Sequence, residues 1–114
     1  VANVTTLILY KILNSSESIE SCSGTYNIAP EGAVSWYEFA TFIIDQVGKM
    51  GISLTCKPQD VLPISTLEYN QIAKRPTNSI LSTRKVQEKF GLLMPKWELY
   101  TVAMLKELKV MGII

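Results

Sequence analysis

The 114-residue sequence contains no histidine. That absence removes serine–histidine and cysteine–histidine nucleophile pairs and every histidine-ligated metal site. Its two cysteines, Cys22 and Cys56, lack the spacing of a redox or zinc pair and read as structural or free thiols. Charge of one sign is lacking too: eleven basic residues face ten acidic ones, for a formal net charge of +1. No basic run exceeds the pairs Lys74-Arg75 and Arg84-Lys85, so the footprint of a nucleic-acid or anionic-membrane binder is missing. No apolar run approaches the roughly 18 residues that span a bilayer. The opening Val1-Ala2-Asn3-Val4-Thr5-Thr6 lacks the charged start of a secretion signal, which predicts a cytoplasmic protein.

Glycine is sparse in a way that matters for cofactors. No Gly-x-Gly-x-x-Gly run follows a predicted strand, so the chain has no dinucleotide or P-loop phosphate cradle and is expected to bind no cofactor by itself. Gly48-Lys49-Met50-Gly51 matches the four-residue GxxG loop of a KH domain, but its place at a helix end without basic surroundings makes it a helix terminator. No tyrosine is followed by a lysine four residues on: Tyr69 precedes Lys74 by five and Tyr100 precedes Lys106 by six. The hydride-transfer acid pair of short-chain reductases is therefore absent. Glu38, Asp45 and Glu68 have no placed carboxylate partner and read as capping or surface groups.

What is present is an ordinary folded chain, 47% hydrophobic and 18% charged, of a length that predicts one small compact unit or a piece of a larger protein. Val4, Leu7, Ile8, Lys11 and Ile12 fall at helical spacing, and no capping residue precedes them, so this helix is expected to start at or before the first residue. Gly24–Pro30 reads as a short strand. The strongest local signal is Val34-Ser35-Trp36-Tyr37-Glu38-Phe39, with Ser35 as the cap, Glu38 reaching back and Val34 set to pack on Phe39. The helix it opens closes at Gly48 or Gly51. Ile52–Cys56 alternates as a strand, 59–74 reads as a long irregular connection, and Ser79-Ile80-Leu81 reads as a third short strand. Ser82 or Thr83 is placed to cap a helix ending before Gly91, and a last helix opens near Pro95. Trp36 and Trp97, on the apolar stripes at two helix starts, read as packing residues rather than sugar platforms. The order predicts an α/β architecture, several helices covering a few short strands.

Three blocks, Gly24-Thr25-Tyr26-Asn27-Ile28-Ala29, Ser35-Trp36-Tyr37-Glu38-Phe39-Ala40 and Ala73-Lys74-Arg75-Pro76-Thr77-Asn78-Ser79-Ile80-Leu81, resemble in order and spacing the carboxy-terminal half of dTDP-4-dehydrorhamnose reductases. The tail, Lys85–Gly91 leading through Pro95-Lys96-Trp97 into a closing helix, extends the resemblance over nearly the whole chain. These are extended short-chain dehydrogenases in which a Rossmann domain holds NADPH or NADH and the carboxy-terminal portion closes over the nucleotide-sugar. The resemblance implies that residues 1–114 are that substrate-binding segment, with the Rossmann domain outside this chain. The implied reaction reduces dTDP-4-dehydro-6-deoxy-L-mannose to dTDP-L-rhamnose for polysaccharide biosynthesis. Its catalytic tyrosine and lysine lie upstream of the region seen here.

From the residues alone, Arg75 could pair with a local carboxylate or close a helix end. The resemblance instead implies that Arg75 clamps the substrate's diphosphate, as the arginine of an Arg-Pro motif does in related nucleotide-sugar enzymes. The physics fits, because a planar guanidinium bonds two phosphate oxygens at once and Pro76 stiffens the loop. Asn78 and Ser79 become candidate ribose or phosphate contacts, although a polar turn before a strand also explains them. Where the family reads Tyr-Pro-Thr-Pro-Ala, this chain has Tyr69-Asn70-Gln71-Ile72-Ala73, and both prolines are lost. The chain alone is expected to be inactive, with a dTDP-sugar and the Rossmann domain as partners and no nucleic acid or membrane. Exposed apolar surface on such a segment predicts self-association. The alternative from another class is a non-catalytic binding protein of reductase fold, like the regulatory β-subunit of methionine adenosyltransferase. A free-standing interaction domain accounts less well for the uncapped start.

Overall fold

The computed structural model describes residues 2–16, 18–66, 68, 69 and 76–114. Among these residues five α-helices run in chain order, α1 (Ala2–Leu13), α2 (Ile19–Cys22), α3 (Trp36–Lys49), α4 (Arg84–Phe90) and α5 (Trp97–Val110), with a 3₁₀ turn at Pro58–Asp60. The chain divides into two compact units, Val1–Glu31 with Ser79–Lys96, and Gly32–Asn78 with Trp97–Ile114.

The first unit is built on α1, α2 and α4. Val86 of α4 is 0% exposed, and Val4, Cys22, Phe90, Leu92 and Met94 are buried in this unit as well. Ser18 caps α2 by accepting the Ser21 amide at 3.2 Å. The predicted cap of α4 is met in part. Thr83 occupies the cap position, but its hydroxyl accepts the side-chain amide of Gln87 at 2.8 Å rather than a backbone N–H. Gly91 ends α4 in the left-handed conformation, φ 55°, which lets Leu92 N–H return to the Gln87 carbonyl at 3.1 Å. Tyr26 ties the segment after α2 to this core. Its ring lies 5.2 Å from that of Phe90, its hydroxyl donates to the Cys22 carbonyl at 3.0 Å, and the Lys85 ammonium sits over the ring 4.6 Å from its centre.

The second unit packs α3 against the 3₁₀ turn and α5. The predicted capping box is present: Ser35 Oγ accepts the Glu38 amide at 3.2 Å, and the Glu38 carboxylate accepts the Ser35 amide at 2.9 Å. Gly51, at φ 79°, is the left-handed residue that ends α3, while Gly48 stays inside the helix. Lys109 of α5 donates to the Met50 carbonyl at 2.6 Å, a cation on the negative end of α3. Val47, Thr101 and Leu105 are buried here, and the Trp97 ring meets Phe39 and Phe42 edge-on at 5.7 and 4.9 Å. Trp97 thus packs as expected. Trp36 does not: it is 78% exposed, with its ring edge-on to Phe39 at 6.3 Å.

The three runs expected as strands, 24–30, 52–56 and 79–81, form no ladder among the described residues. The β pairing present there is one isolated parallel bridge, Glu31 with Lys96, beside the bond from Glu31 N–H to the Pro95 carbonyl at 2.9 Å. A strand is stable only when a neighbour takes its N–H and C=O groups, and an alternating pattern cannot say whether one is within reach. Ile80 and Leu81 are accordingly exposed rather than buried in a sheet.

Candidate functional site

The segment singled out by its chemistry begins in a turn that the sequence already spells. Ser65-Thr66-Leu67-Glu68 carries the spacing of a capping box. The Glu68 carboxylate accepts the Ser65 amide at 2.6 Å, and the Glu68 amide returns to Ser65 Oγ at 3.3 Å. Tyr69 N–H closes the turn on the Ser65 carbonyl at 3.1 Å. The Ser65 backbone N–H first, and its hydroxyl second, hold the Glu68 carboxyl below the ordinary glutamate range. The predicted irregular connection over 59–74 therefore includes a 3₁₀ turn and this closed turn, and the S-x-x-E spacing was the signal for the second.

Arg75, expected to bind diphosphate, lies outside the described residues. Asn78 and Ser79 are described, and both are exposed, as are Pro76 and Thr77. Asn78 closes the long stretch of the second unit, and Ser79 opens the return stretch of the first. Exposed amide and hydroxyl groups of this kind can donate to phosphate or ribose oxygens without adding charge. Three residues beyond Ser79, the Ser82 carbonyl accepts the Asn27 side-chain amide at 3.3 Å, which ties this run to the one after α2.

A nicotinamide dinucleotide is usually cradled by a glycine-rich turn between a strand and a helix, and the described residues include no such turn. The left-handed glycines Gly51, Gly91 and Gly112 each close a helix end singly, and none belongs to a glycine-rich turn leading from a strand into a helix. Among the described residues no group of three acidic, cysteine or histidine side chains could hold a metal ion. No helix among them is long and apolar enough to cross a membrane.

Comparison with known proteins bears on the segment as a whole. The family described as RmlD substrate binding domain matches residues 1–110. The dTDP-4-dehydrorhamnose reductase of Escherichia coli K12 is 35% identical over 86 residues, 75% of this chain and 28% of that protein. That of Salmonella typhimurium is 36% identical over the same proportions. The spore coat polysaccharide biosynthesis protein SpsK of Bacillus subtilis is 35% identical over 65 residues, 57% of this chain and 20% of that protein. The chain thus spans less than a third of the length of the curated relatives it matches. No solved structure matches it.

Proposed function

The chain belongs to the RmlD substrate binding domain family, and from that membership we propose that it is the substrate-holding segment of a dTDP-4-dehydrorhamnose reductase. The whole protein then reduces dTDP-4-dehydro-6-deoxy-L-mannose to dTDP-L-rhamnose in polysaccharide biosynthesis, in the cytoplasm. The observation that carries this reading is the continuity of the family match over residues 1–110, supported by reductases that are 35% and 36% identical.

In this reading Arg75 grips the diphosphate of the nucleotide-sugar through two parallel N–H···O bonds, and Asn78 and Ser79 donate to neighbouring phosphate or ribose oxygens. The NADPH or NADH site belongs to another part of the protein. The same reading takes the non-helical runs 24–29 and 79–81 as strands of an α/β reductase whose ladder partners lie in the rest of the protein; the bond from Asn27 to the Ser82 carbonyl supports their proximity.

Titration calorimetry with dTDP-rhamnose and with dTDP tests the role of Arg75. Binding by the unaltered chain that Arg75→Ala weakens by about tenfold or more supports the clamp. Binding that is the same in both would remove Arg75 from the site.

A further inference from the structure

We draw no further inference here: the strongest candidate, the apolar face that Leu9, Tyr10 and Leu13 of α1 expose in the first unit, carries nothing, because nothing in the structure shows what covers it.

Discussion

A Cβ added to Gly32 would stand 2.9 Å from Cδ1 of Trp97. The backbone of Gly32 also has φ +102°, where an L side chain is strained, so this position excludes other residues on two independent grounds. The ring cannot easily retreat, because Phe39 and Phe42 hold it edge-on.

Gly32→Ala is therefore expected to lower stability by about 1–3 kcal/mol, and tryptophan emission should change as Trp97 is displaced. Equilibrium urea unfolding followed by fluorescence measures both. An unchanged midpoint would mean that the contact relaxes at no cost.

The capping box of α3 makes an acid-dependent prediction. The Ser35 backbone N–H, and after it the Ser35 hydroxyl, hold the Glu38 carboxyl below the ordinary glutamate range. A carboxyl whose folded pKa is lowered stabilises the fold fully above its unfolded pKa, and that contribution is lost as pH falls through the lowered folded value. Glu38→Gln should flatten this part of the acid transition in helical circular dichroism. Ser35→Ala should cost about 1 kcal/mol at neutral pH. If both variants retain the full acid slope, the box contributes nothing.

Tyr26 joins three groups, and its hydroxyl can be removed without disturbing the other two. Tyr26→Phe keeps the packing on Phe90 and the face under Lys85 but takes the donor from the Cys22 carbonyl. A loss of about 1 kcal/mol is expected, together with faster amide exchange in α2 and α4. Unaltered exchange in both helices would show that the hydroxyl holds nothing in place.

Apolar side chains are exposed in both units, among them Leu9 and Leu13 of α1 and Val110 and Met111 at the end of α5. Exposed surface of this kind is expected to make the isolated chain self-associate. Sedimentation over a range of concentrations should give a mass that rises above the 12.7 kDa of one chain. A constant monomer mass would overturn this expectation.

Signals completed within four or five residues were legible in the sequence. Ser35 with Glu38 and the closing Gly51 of α3 needed no distant partner, so their chemistry alone identified them. Glu68, which reads as a capping or surface group, closes on Ser65 in the same local way. Trp36 shows where local reading stops: helical spacing puts a residue on the apolar stripe, but what covers that stripe depends on another element. The runs at 24–30 and 79–81 form no ladder among the described residues, and their sequence alone does not supply a partner, since a strand is a relationship between distant segments. Asn78 and Ser79 are exposed, Arg75 lies outside the described residues, and the role proposed for all three comes from resemblance.

The chain passes back and forth between its two units, crossing at Glu31–Gly32, Asn78–Ser79 and Lys96–Trp97. During synthesis the opening segment through Glu31 must therefore wait, unfinished, until everything through Lys96 has left the ribosome. The intervening Gly32–Asn78 forms a loop whose closure entropy must be met before Val1–Glu31 and Ser79–Lys96 can meet. A single proteolytic nick between Gly32 and Asn78 would leave the first unit's two segments on separate fragments, and the second unit would itself be cut. Neither can be obtained free of the other's residues by shortening the chain from its ends.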